Sequence, residues 1–178
     1  MSSNSFIIPE CHVDSCLVEV LLVVDKNPVN HQKGNGTVAT RMKTFFSDSF
    51  CIGVIDEDRR KLDYLNEFEL EIETATLKLW KHKEKHHYII QLRPVIESWI
   101  LNICRANNVM IANFGLPDNL KLLMKESKSS SSRNDERFIR LFKHFESIDC
   151  DPINRLKNWL LYLKEKKYTA DINDLKNG

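Results

Sequence analysis

The sequence predicts an α/β protein in which helices flank a mostly parallel central sheet and a helical extension follows. Over residues 1–107, short apolar runs alternate with amphipathic or charged stretches, which is the pattern of an α/β domain. One of these runs, residues 50–55, is continuously apolar, as is typical of a strand at the centre of a parallel sheet. Over residues 108–178 the apolar residues recur only at helical spacing, so we expect a helical extension packed on or beside the first domain.

The first predicted strand is residues 5–9, which Pro9 ends because proline lacks the amide that a strand ladder requires. Residues 13–24 then predict a helix buried on most sides, capped by Asp14 or Ser15. The β-branched residues of this stretch would also suit a strand.

A loop is predicted at residues 27–36, which contain Pro, Asn and Gly, and Thr37 then caps a second helix over about residues 38–46. After the strand at 50–55, the charged stretch 59–71 predicts another helix. Its predicted inner face consists of Leu62, Leu65 and Phe68.

Residues 76–80 and 88–92 predict two further strands joined by the basic turn 81–87. Pro94 then lies in the first turn of a helix, where its missing amide does not matter. The apolar face of that helix comprises Ile96, Trp99, Ile100 and Ile103.

The C-terminal part predicts a short helix over 116–124, a flexible serine-rich connection over 127–132 and two amphipathic helices. The apolar faces of these two helices are Phe138, Leu141, Phe142 and Phe145, and Leu156, Trp159, Leu160 and Leu163.

The amino-acid composition and the net charge limit the functions that the chain can have. The 178 residues are 42% hydrophobic and 29% charged, which suits a folded domain, and the net charge is only +1. Nucleic-acid binding would therefore depend on local basic residues. The candidates are Lys33, Arg59, Lys81, Lys83 and Lys85. For the last three, a solvated turn is the equally plausible alternative.

The five cysteines include no CxxC pair, which fits free thiols in a reducing compartment. The sequence also shows neither a signal-peptide pattern nor an apolar run of membrane-spanning length. We therefore expect a cytoplasmic protein without a membrane partner.

Two acidic clusters follow apolar strands and are the most informative feature of the chain. Glu10 and Asp14 follow the first strand, and Asp56, Glu57 and Asp58 follow the strand at 50–55. The carboxyl ends of neighbouring parallel strands meet at one edge of a sheet, where α/β folds bind their ligands. The sequence therefore predicts a site for Mg²⁺ or Mn²⁺, with Glu57 directed away if this segment is extended.

These clusters carry a resemblance to a known fold family. Strand, then Glu10-Cys11-His12-Val13-Asp14, then helix resembles the first motif of the Toprim fold, and strand followed by Asp56-Glu57-Asp58 resembles its second. The resemblance covers roughly residues 5–100. It departs at Cys11, where the family usually has glycine.

The resemblance implies a Rossmann-like sheet in which Glu10, Asp56 and Asp58 are catalytic and bind Mg²⁺ or Mn²⁺, with Asp14 as an added ligand. Glu97 is either a further ligand or an acid favoured by the helix dipole. Small Toprim-like proteins of bacterial antiviral defence or mobile elements are the best comparison, which implies a nuclease acting on DNA or RNA.

Other interpretations remain open. The same fold could serve as a non-catalytic assembly or sensing subunit whose C-terminal helices contact a protein partner. A phosphatase with Asp56 as nucleophile and Asp58 as acid is a weaker alternative, because that family places its acid pair on the first strand. Glu10 and Asp14 could instead be a strand-end acid and a helix cap, and His12 either acts at the site or packs at the turn.

Overall fold

The computed structural model describes residues 5–23, 29–58 and 62–176, which form a five-stranded sheet with helices on both faces. The strands are β1 (Ile7–Pro9), β2 (Cys51–Asp56), β3 (Phe68–Glu73), β4 (Leu77–His82) and β5 (His87–Leu92). The helices are α1 (His12–Leu22), α2 (Asn35–Thr44), α3 (Ile96–Ala106), α4 (Leu120–Ser127), α5 (Glu136–Ser147), α6 (Asp151–Lys166) and α7 (Ile172–Lys176). The predicted α/β class is confirmed.

The sheet is mixed, with the order β1-β2-β5-β4-β3. β1, β2 and β5 run parallel, whereas β4 pairs antiparallel with β5 and β3 pairs antiparallel with β4. The parallel pairings that the sequence predicts for most of the sheet are therefore confined to these three strands. Their carboxyl ends lie at one edge.

Two hydrophobic clusters hold the layers together. On one face, Ile52 and Ile90 of the sheet share a cluster with apolar side chains of α1, α3, α5 and α6. On the other face, Ile89 shares a second cluster with Val38 and Met42 of α2. Burial of this apolar surface is the main stabilising contribution to such a fold.

The turn from β1 into α1 forms a capping box. The Asp14 amide donates to Cys11 Sγ (3.3 Å), and the Cys11 amide donates to Asp14 Oδ2 (3.1 Å). The N-cap is thus Cys11, one turn earlier than the predicted caps. The helix predicted over 13–24 is confirmed up to Leu22, and residue 24 lies outside the described residues.

The segment from Asn30 to Gly34 runs beside β1. Its amides donate to β1 and the residue after it in a parallel pattern: Asn30 to the Ile7 carbonyl (2.8 Å), Gln32 to the Pro9 carbonyl (3.0 Å) and Gly34 to the Glu10 carbonyl (3.2 Å). Part of the predicted loop, residues 27 and 28, lies outside the described residues.

Helix α2 begins earlier than predicted. Its N-cap is Gly34, at a φ of 93° that favours glycine, and the predicted cap Thr37 lies within the first turn. There the Thr37 hydroxyl accepts from the Lys33 amide (3.1 Å) and donates to the Gly34 carbonyl (2.7 Å).

The helix predicted over 59–71 is wrong. Residues 59–61 lie outside the described residues, Asp63–Glu67 form a short 3-10 helix, and Phe68–Glu73 form the edge strand β3. Apolar and acidic residues alternate along β3, and the acids pair with lysines across the ladder, Glu69 with Lys81 and Glu73 with Lys78. This period-two pattern and these opposite charges favour a strand over a helix.

The strands predicted over 76–80 and 88–92 are confirmed as β4 and β5, which leaves a turn of only residues 83–86. Pro94 does not lie in the first turn of α3, because the N-cap is Val95 and the helix begins at Ile96.

The serine-rich connection predicted to be flexible is ordered. Ser127 ends α4, and Ser130–Asn134 form a 3-10 helix. The buried Ser132 hydroxyl donates to the carbonyls of Ser127 (2.8 Å) and Ser129 (2.7 Å), so its polar group is satisfied inside the protein. The short helix predicted over 116–124 begins only at Leu120, whereas both amphipathic helices are confirmed as α5 and α6.

None of the helices formed by the described residues is long and apolar enough to cross a membrane.

Candidate functional site

Four carboxylates line one cavity of about 680 Å³ at the carboxyl ends of the parallel strands. Glu10 follows β1, Asp56 ends β2, Asp58 lies two residues further on, and Glu97 lies in the first turn of α3 after β5. The structure thus brings together all three residues that the sequence predicts to be catalytic. This edge is where open α/β sheets bind ligands.

Backbone amides fix two of these carboxylates. The Asp56 amide donates to Glu10 Oε2 (3.0 Å), and the Ile96 amide at the start of α3 donates to Asp56 Oδ1 (3.0 Å). Asp56 therefore caps the helix after β5 rather than an element directly after β2. Both acids are held in one orientation by the ends of neighbouring elements.

Side chains from two helices fix the other two carboxylates, those of Asp58 and Glu97. Asn35 Nδ2 in the first turn of α2 donates to Asp58 Oδ2 (2.8 Å), and the Ser127 hydroxyl at the end of α4 donates to Glu97 Oε1. No sequence pattern marked Asn35 or Ser127, because their partners lie 23 and 30 residues away along the chain.

Asp14 is buried beside this cavity, and only part of its role is capping. One oxygen accepts from Cys11 in the capping box, as the alternative interpretation of this acid requires. The other, Oδ1, is buried without a hydrogen-bond partner among the described residues. An unsatisfied buried oxygen is destabilising unless a proton, a water molecule or a cation reaches it.

The electrostatics of the site are unfavourable to full ionisation. Burial raises the pKa of Asp56 well above its ordinary value, and the charges of Asp14 and Glu10 raise it further. Burial also raises the pKa of Asp14, with a contribution from the charge of Glu10. The pKa of Glu10 is raised by burial and by the charges of Asp58 and Glu97, against the hydrogen bond from Asp56. Clustered like charges favour binding of protons or of a cation.

Glu57 stands apart from the other acids of its segment. It forms ion pairs with Lys78 (2.6 Å) and Arg93 (2.9 Å) and does not line the cavity. Alternation along an extended segment directs it away from Asp56 and Asp58.

The lining of the cavity also includes imidazole and ammonium groups. His12 and Lys33, both singled out from the sequence, line the cavity together with His31 and Lys128. The two imidazole rings are stacked, with centroids 4.0 Å apart and planes at 22°. No sequence pattern marked His31 or Lys128, because their places depend on the pairing beside β1 and on the packing of α4.

The remaining basic candidates lie elsewhere. Lys81 is in β4 and Lys83 and Lys85 are in or beside the turn before β5, at the opposite edge of the sheet from the acids. Lys83 Nζ donates to the Asn66 carbonyl (3.2 Å) and Lys85 Nζ to the Ser47 carbonyl (2.9 Å). Arg59 lies outside the described residues. Nucleic-acid binding by these residues stays a prediction.

The donor set is suited to a hard cation, but it is not a preformed metal site. Carboxylate oxygens are the ligands that Mg²⁺ and Mn²⁺ prefer, and Asp14 contributes a buried oxygen without a partner. Within residues 5–23, 29–58 and 62–176, however, no three His, Cys, Asp or Glu side chains are grouped so that they could hold a metal ion. Binding would require these carboxylates to draw closer.

Comparison with protein-family models, with curated proteins and with solved structures found no match to this chain.

Proposed function

We propose that this protein is a Toprim-like, divalent-metal-dependent nuclease that hydrolyses phosphodiester bonds of DNA or RNA. The observation that carries the proposal is the cavity where Glu10, Asp56 and Asp58 meet at the ends of β1 and β2. Their order along the chain and their places after two adjacent parallel strands support the Toprim resemblance. Cys11, which stands where that family usually has glycine, serves here as the N-cap of α1.

The residues have distinct tasks in this proposal. Glu10, Asp56 and Asp58 would hold Mg²⁺ or Mn²⁺, with Asp14 and Glu97 as further oxygen donors. The bound cation would neutralise charge on the phosphate and lower the pKa of a water molecule. The amides of Asp56 and Ile96 and the side chain of Asn35 orient the carboxylates, and such outer contacts tune a metal site. Lys33 would contact the substrate backbone.

A cleavage assay tests this function. Purified protein with Mn²⁺ is expected to cleave DNA or RNA, and Glu10→Gln and Asp58→Asn are each expected to lose at least about 100-fold in rate, because each removes a charge that holds the cation. Melting temperatures of both variants in metal-free buffer should equal or exceed that of the wild type, since each removes one of several repelling charges.

Glu57→Gln is the matched control, because Glu57 belongs to the same acidic run but pairs with Lys78 and Arg93 outside the cavity. It should cleave at the wild-type rate. Wild-type protein that shows no metal-dependent cleavage of single- or double-stranded DNA or RNA would refute the nuclease. Loss of activity only through unfolding of Glu10→Gln and Asp58→Asn would make the acids structural.

One observation favours the second candidate, a non-catalytic assembly or sensing subunit. The carboxylates of the described residues are not grouped closely enough to hold a metal ion as they stand. In that case the C-terminal helices would contact a protein partner, and the cluster would respond to protons or cations without cleaving a substrate. The bacterial defence setting and the cytoplasmic location stay predictions in either case.

A further inference from the structure

The cavity is lined by two chemically different sets of side chains. One set is the carboxylates of Glu10, Asp56, Asp58 and Glu97. The other, which we call the basic wall, is His12, His31, Lys33 and Lys128. The basic wall comes from three separate parts of the chain: His12 from the start of α1, His31 and Lys33 from the segment beside β1, and Lys128 from the residue after α4. Basic side chains beside carboxylates suit a phosphodiester chain. The basic side chains can hold its phosphates, and the carboxylates can hold a metal ion next to them.

The two lysines are available for a ligand. Within the described part of the chain, neither Lys33 nor Lys128 forms an ion pair, although both lie on the wall of a cavity that holds four carboxylates. By contrast, Lys43 and Lys78 are paired with Glu67 and Glu57. Lysines that flank an acidic site without pairing to it can bind the phosphates on either side of the reacting one.

The imidazole pair supplies a ring surface. Both rings line the cavity, and they stack on each other with their centroids 4.0 Å apart. A hydrogen bond between Ser15 Oγ and His31 Nδ1 (3.1 Å) fixes the second ring in place. Aromatic and imidazole faces are the surfaces on which unpaired bases stack.

The size of the cavity favours an unpaired strand. A volume of about 680 Å³ is in the range of pockets that hold one small ligand, roughly 300–1,000 Å³. Of the four acids, Glu97 is only 7% exposed and is bonded to Ser127 of α4, whereas Asp58 is exposed to solvent. A nucleotide inside a duplex would have to leave its stack to enter.

We infer that this cavity binds one unpaired nucleotide of a single-stranded nucleic acid, with its flanking phosphates on Lys33 and Lys128 and its base against the His12–His31 pair. This inference rests on the proposed nuclease function and specifies its substrate class. DNA and RNA share the chemistry on which it depends, so both are tested.

Binding without cleavage tests this inference first. Fluorescence anisotropy in EDTA, at one fixed salt concentration, compares a single-stranded DNA, a single-stranded RNA and a duplex of the same sequence. We expect at least one single strand to bind about tenfold more tightly than the duplex or better. Equal or tighter binding of the duplex would overturn the inference.

Variants of the basic wall identify the site. Lys33→Ala and Lys128→Ala should each weaken single-strand binding at least about threefold, because each removes one phosphate contact. Lys121→Ala, an exposed lysine of α4 that does not line the cavity, should bind like the wild type. If both wall variants bind like the wild type, or if Lys121→Ala weakens binding as much, the assignment is wrong.

The ring surface is tested by a pair of substitutions at one position. His31→Ala should weaken single-strand binding at least about fivefold through loss of stacking, and His31→Phe should restore most of it because a ring is retained. Equal weakening by both would mean that the Ser15 hydrogen bond, and not the ring face, is what matters, and would remove His31 from the binding surface.

Failure of this inference and failure of the proposed function give different results. Tight single-strand binding that depends on Lys33 and Lys128, without cleavage in Mn²⁺, would leave the inference standing and refute the nuclease. Cleavage of duplex as fast as of single strands would support the nuclease and refute the inference.

Discussion

Opposing effects act on the ionisation of the Asp56 carboxyl group. Its carboxylate accepts a hydrogen bond from the first amide of α3, which favours the charged form, while burial and the neighbouring Asp14 and Glu10 disfavour it more strongly. The net effect is a pKa above the ordinary value for aspartate. A carboxyl group in this position takes up a proton on folding when no cation is present.

That pKa shift has a consequence for stability. An acid whose pKa is higher in the folded than in the unfolded state makes the folded protein bind more protons, so stability is greatest at low pH. Stability then decreases as pH rises from the unfolded-state pKa, about 3.9, towards the raised folded-state pKa. In EDTA, we expect the melting temperature of the wild type to fall between pH 5 and pH 8 more steeply than that of Asp56→Asn.

Melts of both proteins by circular dichroism across this pH range provide the measurement. The difference between the two slopes reports the titration of Asp56 together with its interaction with Asp14 and Glu10. Parallel slopes would mean that Asp56 has an ordinary pKa and that the acids do not interact.

At the scale of elements, α2 is held against β2 by a close approach at Gly53. A Cβ placed there would lie 3.0 Å from Met42 Sδ and 3.1 Å from Val38 Cγ1, both on α2. The same helix begins at the end of the segment that carries Lys33, and its Asn35 binds Asp58. The contact at Gly53 therefore sets the position of one side of the cavity.

Gly53→Val is expected to lower the free energy of unfolding by about 1–3 kcal/mol, because it overpacks this contact and displaces α2. Urea unfolding at neutral pH measures the change. Gly36→Ala is the matched control: it lies in the first turn of α2 with nothing within 4 Å of its added Cβ, and it should be neutral or stabilising by up to about 1 kcal/mol. Equal effects of the two substitutions would contradict the role of close packing at Gly53.

The elements also show what a sequence pattern can and cannot predict. The continuous apolar run of β2 and the spacing of Phe138 and Phe142 in α5 are local signals, and both elements are where we predicted them. The stretch 59–71 has many charges that suit a helix surface as well as an edge strand. Its pairing with β4 decides between the two, and that pairing is non-local.

At the scale of the whole molecule, parallel order makes the acidic edge predictable. Because β1 and β2 are adjacent and parallel, acids placed directly after each strand must come close together, so Glu10, Asp56 and Asp58 follow from the sequence alone. The places of His31 and Lys128 do not follow from the sequence. His31 reaches the cavity only because its segment pairs with β1, and Lys128 only because α4 packs on α3.

The central claim is that these acids form one site for a divalent cation, and the response of the melting temperature to Mn²⁺ tests it most directly. A ligand that binds only the folded state stabilises it by mass action. We predict that millimolar Mn²⁺ raises the melting temperature of the wild type and of Glu57→Gln, and that this rise disappears in Asp56→Asn. The same response in the wild type and Asp56→Asn, or none in the wild type, would contradict a shared cation site.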